Sequence, residues 1–180
     1  MAQSILDKPI KRLKRPFFNR PTLLVAEELI GKVLVFRDHH GIITETEAYI
    51  GFDDPDSHAF RGETPRTKIM FGKAGFSYVY LIYGMYYCLN IVTEKEGFPA
   101  GVLIRGIKLL DEPRIHLDGP GKVCRYLGIT KAHYGIDVTK SDELYVGCIK
   151  QRFEFLRTPR IGIKVATDRP WRFLAKLEGK

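Results

Sequence analysis

The chain has 180 residues, of which 44% are hydrophobic, 12% aromatic and 28% charged. This length suits one domain with a single core, and the aromatic content excludes an intrinsically disordered chain. No apolar run approaches the roughly 20 residues of a membrane span, and the N-terminal segment lacks the apolar stretch of a secretory signal. We therefore expect no secretion and no membrane partner, with a cytoplasmic location in a bacterium or a nuclear one in a eukaryote.

The balance of charge favours a polyanionic partner. Lysines and arginines number 29 against 21 acidic residues, which gives a net charge of +8. Five basic residues are clustered near the start of the chain: Lys8, Lys11, Arg12, Lys14 and Arg15. A solvated arm and an arm that contacts phosphates explain this cluster equally well. We predict a flexible basic arm over residues 1–15 and one domain over 16–180.

The three cysteines indicate neither disulfides nor zinc. They are odd in number, and none has a Cys or His nearby at the spacing of zinc ligands. This use of cysteine favours a reducing compartment. We expect no metal site.

The first half of the chain predicts a helix and a β-hairpin. Apolar spacing indicates a helix over residues 20–30, ended by Gly31. The runs KVLVFRD and GIITETEAYI read as a hairpin with HHG as its polar turn. A loop rich in Asp, Gly and Pro covers residues 51–65, and a short helix opens at Thr64 and runs to Phe71.

The second half of the chain predicts further strands and one helix. Three strand-like runs are FSYVYLIYG, MYYCLNIVTE and AGVLIRGI, with KEGF as the turn between the last two. GPGKVCRYLGI predicts a helix, and ELYVGCI and RIGIKVA predict weaker strands. The sum is a single α+β domain with a mostly antiparallel, curved sheet flanked by helices. No glycine-rich nucleotide motif follows a strand, so we expect no cofactor.

Two glutamates and a tyrosine share one face of a predicted strand. In ETEAY, strand alternation places Glu45, Glu47 and Tyr49 on the same side. A solvent-facing sheet surface would explain them without any chemistry. The alternative is a general base beside an aromatic wall, with His58 in the following loop.

Two further features carry polar or aromatic groups on apolar strands. Tyr83 stands where two strands meet, either as a sheet-packing residue or as a wedge that unstacks bases. Asn90 in CLNIV and Arg105 in VLIRG need hydrogen-bonding or anionic partners when buried. Taken singly, Asn90 and Arg105 are each explained by a structural partner. A pair between Arg105 and Glu47 would instead join the ETEAY and VLIRG strands into one site.

In their order along the chain, these stretches resemble the alkyladenine (3-methylpurine) DNA glycosylase family, the alkylbase glycosylases that lack a helix-hairpin-helix. The resemblance spans nearly the whole chain, from Pro16 to Phe173. The matching stretches include TETEAYIG, DPDSHAFRG, TPR, MFGKAGFSYVYLIYGMYYCLNIV, VLIRG, GPGKVCRYLGI, RIGIKVA and PWRF.

The resemblance implies a role for each matching residue. Glu47 would be the base that activates the attacking water, held by Arg105 and the backbone carbonyl of Ile161. The residues implied to line the pocket of an extruded base are Tyr49, His58, Tyr80 and Asn90, of which Asn90 would disfavour the amine of guanine. The residues implied to meet the DNA backbone or minor groove are Tyr83 as the intercalating ring, Met85, Tyr86, Arg66 and Lys122. Arg105 is expected to keep Glu47 ionised despite burial.

The implied activity is monofunctional DNA base excision. Alkylated or deaminated purines such as 3-methyladenine, hypoxanthine and ethenoadenine would be flipped from double-stranded DNA and cut from the sugar, leaving an abasic site. The matching pocket motifs contain no lysine for a lyase step, and the enzyme is expected to work as a monomer. Two alternatives remain open: a nucleic-acid-binding module without chemistry, and a hydrolase that acts on RNA or free nucleosides.

Overall fold

In the described part of the chain the sheet has ten strands, and every pair of neighbouring strands is antiparallel. The computed structural model describes residues 9–177. The strands are β1 Lys11–Arg12, β2 Val33–Phe36, β3 His39–Ile50, β4 Ser77–Ile82, β5 Tyr86–Val92, β6 Ala100–Leu109, β7 His116–Asp118, β8 Leu144–Cys148, β9 Phe155–Thr158 and β10 Arg172–Ala175. Their main order is β1-β8-β2-β3-β6-β5-β4, while β10 joins β3 to β9 and β7 pairs with β6. The predicted α+β fold is confirmed.

Within residues 9–177, three α-helices flank this sheet: α1 Arg15–Phe18, α2 Thr22–Leu29 and α3 Pro120–Leu127. Helix α2 buries Val25, Ala26 and Leu29, and it is shorter than the helix predicted over residues 20–30. Helix α3 begins with a proline and ends at Gly128, whose left-handed backbone suits glycine. Three short 3₁₀ helices lie at Gly51–Asp53, Lys68–Phe71 and Lys131–His133.

Strand β3 separates the core from the site. The hydroxyl of Thr46 donates a hydrogen bond of 2.8 Å to the carbonyl of Ala26, so this side chain faces helix α2 and the core. Because alternate side chains of a strand point to opposite faces, Glu45 and Glu47 lie on the other side. A β-bulge in β3 near Glu45 interrupts its pairing with β6.

The structure corrects two boundaries in the first half of the chain. His39 and His40 are not the hairpin turn: β3 already begins at His39, and the turn consists of Arg37 and Asp38, with Arg37 at a φ of 54°. The helix predicted from Thr64 is a turn followed by the 3₁₀ helix Lys68–Phe71. Its first turn is closed by hydrogen bonds between Thr64 and Thr67.

The predicted strand RIGIKVA is wrong. This segment, residues 160–166, forms an irregular loop between β9 and β10, and neither of those strands was predicted. The backbone N–H groups of Ile161, Lys164 and Val165 donate to carboxylates and not to a neighbouring strand. The apolar pattern therefore belongs to a loop held by acidic side chains.

The predicted N-terminal arm lies partly outside the described residues, which begin at residue 9. Within them, Lys11–Arg12 pair with β8, and Arg12 forms an ion pair with Asp142. The chain from residue 11 onward is therefore part of the domain. Across residues 9–177, none of the helices is long and apolar enough to cross a membrane.

Ile104→Ala should destabilise the fold strongly. Ile104 lies in the centre of β6 and is fully buried, so its truncation leaves a cavity that costs about 2–5 kcal/mol of unfolding free energy. Leu156→Ala on β9, where the side chain is half exposed, should change it by less than about 0.5 kcal/mol. Urea unfolding followed by circular dichroism measures both; equal losses would contradict this assignment of the core.

Candidate active site

A cavity of about 860 Å³ opens on the face of the sheet opposite helix α2. It lies between the β4–β5 hairpin, the loop after β3, the beginning of helix α3 and the loop that follows β9. Among its lining residues are Tyr49, His58, Tyr80, Asn90, Arg105 and Ile161, all of them predicted from the sequence. The structure therefore brings the predicted pocket residues to one place.

Glu47 lies behind this lining with no solvent exposure. One carboxylate oxygen, Oε2, accepts a hydrogen bond of 2.8 Å from the Tyr49 hydroxyl. The other, Oε1, accepts one of 2.7 Å from the backbone N–H of Ile161 and lies 3.5 Å from Nε of Arg105. Three cavity-lining residues thus hold the carboxylate. The N–H of Ile161 thus contacts the carboxylate itself, and the implied role of the Ile161 carbonyl, to hold the attacking water, stays a prediction.

The pKa of Glu47 lies above its ordinary value of 4.5. Burial is the largest cause, and it outweighs the opposing effects of Arg105, the Ile161 N–H and the Tyr49 hydroxyl. Arg105 favours the charged form, as predicted, but it does not hold the pKa at or below the ordinary value. A carboxylate with a raised pKa is a stronger base than an exposed glutamate.

Arg105 is shared between two glutamates. Its Nε donates a hydrogen bond of 2.9 Å to Glu45, shorter than its 3.5 Å approach to Glu47. Glu45 also accepts a hydrogen bond from Arg172 of β10, at 2.5 Å. Glu45 therefore holds the guanidinium beside Glu47. Arg172 was not singled out from the sequence, although it lies in the PWRF stretch.

His58 and Tyr80 form an aromatic corner of the cavity. Their ring centroids lie 4.5 Å apart and the rings are nearly perpendicular. Nδ1 of His58 lies 3.0 Å from the Tyr78 hydroxyl, and burial together with the charge of Arg66 lowers the pKa of His58 to about 4. This imidazole is therefore neutral at physiological pH. The side-chain amide of Asn90 donates to the carbonyl of Tyr78, at 3.2 Å.

The tip of the β4–β5 hairpin presents exposed apolar side chains beside the cavity. Tyr83 is 81% exposed, Met85 is 65% exposed, and Tyr86 is exposed to a lesser degree. Tyr83 and Gly84 are the central residues of the turn, with φ of 53° and 67°, and the N–H of Met85 closes it. A non-glycine residue in this backbone region is strained, a feature common at functional sites.

The two predicted phosphate contacts differ in their surroundings. Arg66 donates to the Tyr78 hydroxyl at 3.2 Å and lies 5.2 Å from the Tyr80 ring centroid, so it packs on the pocket wall. Lys122 lies at the beginning of helix α3, where it pairs with Asp118 and lines the cavity. Lys164 also lines it, so the cavity does contain lysines, contrary to the reading of the pocket motifs.

Comparisons with known proteins identify the family of this chain. The family model Methylpurine-DNA glycosylase matches residues 16–178. The chain belongs to this family. A relative in Sodalis glossinidius is 62% identical over 161 residues, which are 89% of this chain and 95% of that protein. Another in Rickettsia felis is 57% identical over 90% of this chain and 92% of its own. Both bacterial relatives carry the name 3-methyladenine DNA glycosylase.

Membership in the family defines the general activity. The protein is a monofunctional DNA glycosylase, a hydrolase of N-glycosyl bonds that acts on DNA. Among residues 9–177, no group of three or more His, Cys, Asp or Glu side chains is placed to hold a metal ion.

The sequence reasoning missed one buried ion pair at the site. Arg160 binds Asp54 with both terminal nitrogens, and neither side chain is exposed. The acidic run DDPDS and the arginine of RIGIKVA were both visible as charges in apolar surroundings. Their pairing was not, because 106 residues separate them.

Glu47→Gln should stabilise the fold at neutral pH. The unfolded chain ionises this residue near pH 4.5, whereas the folded protein does so only at higher pH. The free energy of unfolding therefore falls as pH rises through this interval and stays lower above it. Glutamine has no charge to desolvate. The free energy of unfolding of the variant should therefore be higher than that of the parent at neutral pH, and the two should become equal below pH 4.5.

Urea unfolding at both pH values measures this difference. Glu28→Gln, at a partly exposed ion pair with Arg20, is the matched control and should show no such gain. A Glu47→Gln variant that is less stable than the parent at neutral pH would contradict the raised pKa.

Proposed function

We propose that the protein excises alkylated and deaminated purines, such as 3-methyladenine, hypoxanthine and ethenoadenine, from duplex DNA. In this proposal the damaged nucleotide is flipped into the cavity, and a water activated by Glu47 replaces the base and leaves an abasic site. The observation that carries the proposal is the buried carboxylate of Glu47, held by Tyr49, Ile161 and Arg105 behind an aromatic cavity.

The role of Glu47 follows from its environment. A base of raised pKa takes a proton from water more readily, and its negative charge stabilises the positive sugar that forms as the bond to the purine breaks. Burial and the neighbouring Glu47 raise the pKa of Tyr49, so its hydroxyl stays a donor. The carboxylate is thus held by donors on one side while the attacking water approaches from the cavity.

The cavity walls favour an electron-poor purine. The faces of Tyr49 and Tyr80 attract a base that carries the positive charge of N-alkylation, and a neutral His58 does not repel it. Neutral lesions such as hypoxanthine lack this attraction and also need a proton on the leaving base, so we expect slower excision. Asn90 at the lining would exclude purines with the exocyclic amine of guanine.

Base flipping would use the exposed hairpin. Rotating a nucleotide out of the duplex costs a few kcal/mol, least for a damaged or mispaired base. Tyr83, held at the tip of the turn, would enter the vacancy with Met85 and Tyr86 in the minor groove. Stacking on its ring, about 1–3 kcal/mol, offsets much of the cost.

The charge of the protein supports contact with the DNA backbone. The chain carries a net charge of +8, and Lys122 lies at the cavity rim beside the beginning of helix α3. Arg66 would act by ordering His58 and Tyr78 next to the flipped nucleotide. Because one chain supplies every group of the site, a monomer suffices.

Glu47→Gln should abolish excision and leave binding to lesion-containing duplex nearly unchanged, because the amide keeps the shape but cannot take a proton. Base release from duplexes with 3-methyladenine, 7-methylguanine, hypoxanthine or ethenoadenine, followed by alkaline cleavage, measures activity and substrate range together. Glu28→Gln should match the parent. Strands that break before alkali would reveal lyase chemistry, and release at the parental rate would remove Glu47 from the mechanism.

The same assay separates the two alternatives. A binding module without chemistry would retain lesion-containing duplex and release no base. A hydrolase that acts on RNA or free nucleosides would release base from those substrates in preference to duplex DNA.

Tyr83→Ala should weaken binding to lesion-containing duplex by about 1–3 kcal/mol, because the vacancy left by the flipped base loses its stacking partner. Tyr83→Phe keeps the ring and should bind like the parent. The fluorescence of 2-aminopurine placed next to the lesion reports flipping directly. If it rises as much with the alanine variant as with the parent, the wedge role is wrong.

A further inference from the structure

Arg160 is a fully buried arginine whose charge is matched by Asp54. Its terminal nitrogens bind the two carboxylate oxygens of Asp54, with Nη1–Oδ2 at 2.5 Å and Nη2–Oδ1 at 2.7 Å. Nη1 also donates to the carbonyl of Ala48 in β3, at 3.1 Å. The guanidinium is therefore fixed to the strand that carries Glu47.

The same guanidinium lies between two aromatic rings. Its central carbon is 4.7 Å from the ring centroid of Tyr49 and 5.1 Å from that of Trp171. Tyr49 also lines the cavity and donates to Glu47. Arg160 thus supports the aromatic residue that connects the cavity wall to the carboxylate.

Arg160 also begins the loop that crosses the cavity. The next residue, Ile161, donates its N–H to Glu47. Farther along, the N–H groups of Lys164 and Val165 donate to Oδ1 of Asp56, at 3.1 and 3.2 Å. The two ends of this segment are therefore held by two aspartates of a single turn after β3.

We propose that Arg160 is a positioning residue for excision: its buried pair with Asp54 fixes the Tyr49 hydroxyl and the Ile161 N–H, the two donors that hold Glu47. This role rests on the proposed function of Glu47. Arg160 acts through these donors, since no atom of it hydrogen-bonds to Glu47.

A lysine at this position keeps the charge but cannot bind both oxygens of Asp54 in the plane of a guanidinium. The loop would then hold the Ile161 N–H less firmly against the carboxylate. Because that N–H lowers the pKa of Glu47, loosening it would raise this pKa further. Several other ionisable groups lie near Glu47: Arg105 from β6, Glu45 and Tyr49 from its own strand, Tyr80 from β4, Cys88 from β5 and Arg172, which lies opposite Glu47 on β10.

The test is single-turnover excision of hypoxanthine from duplex DNA by the Arg160→Lys variant across a range of pH. We expect the rate at neutral pH to fall roughly 10- to 100-fold, the cost of a small misplacement of catalytic groups. The acid limb of its rate–pH profile should move to higher pH. At pH values above the moved limb, the variant should regain part of the excision rate. The affinity for lesion-containing duplex should stay within about twofold, because the groups that meet DNA are unchanged.

Arg169→Lys is the matched control. Arg169 also packs on Trp171, at 4.6 Å, and donates to the carbonyl of Asp53, but it is partly exposed and has no hydrogen bond to Tyr49 or Ile161. It should retain the parental rate and pH profile. A lower rate for Arg160→Lys with an unmoved acid limb would mean a general structural role and would overturn the proposal.

Asp56→Ala provides a second variant if Arg160→Lys does not fold. It removes the two loop hydrogen bonds at Lys164 and Val165 and the 3.7 Å contact of Asp56 with Nη2 of Arg160, and it leaves the pair with Asp54 in place. It should move the acid limb in the same direction by a smaller amount, and an unmoved limb would overturn the proposal. If the Glu47→Gln variant is fully active, both the proposed function of Glu47 and the positioning role of Arg160 are overturned. If Glu47→Gln is inactive but the pH profile of Arg160→Lys is unchanged, only the role of Arg160 is overturned.

Discussion

The removal of one carboxylate from water is the constraint on which the site depends. Glu47 has no solvent exposure, and a buried charge is tolerated only with donors and a counter-charge around it. The sheet supplies Arg105 from β6 and Tyr49 from β3, and the loop after β9 supplies a backbone N–H. These partners do not fully compensate the burial of Glu47. Its pKa therefore stays raised, and its carboxylate is a stronger base than an exposed one.

The counter-charge is itself shared and held in place. Arg105 lies between Glu45 and Glu47, and Glu45 lies between Arg105 and Arg172. Because Arg105 and Glu45 each contact two groups of opposite charge, the guanidinium of Arg105 partly neutralises Glu47 while its shorter contact is with Glu45. A direct bidentate pair would lower the pKa of Glu47 and weaken it as a base. Glu45 therefore affects the charge around Glu47 although it does not line the cavity.

The sequence predicts the parts of this arrangement that are local. Strand alternation places Glu47 and Tyr49 on one face, and the turn at Tyr83–Gly84 follows from two apolar runs that meet. The segment RIGIKVA has the apolar, β-branched composition of a strand, and only the positions of Asp56 and Glu47 turn its N–H groups away from a sheet. Strand β10 and the Arg160–Asp54 pair depend on contacts across more than a hundred residues, which no periodicity encodes, and β9 pairs in turn with β10.

The groups around Glu47 are held in two different ways, by the sheet and by the loop after β9. The sheet holds Arg105, Tyr49 and Glu47 by backbone pairing on both sides of β3. Residues 160–166 of the loop after β9 pair with no strand, and their position depends on aspartates and a buried arginine. The hydrogen bond from the Ile161 N–H to Glu47 therefore depends on side-chain contacts made far along the chain, whereas the contacts from Arg105 and Tyr49 depend on the pairing of the sheet.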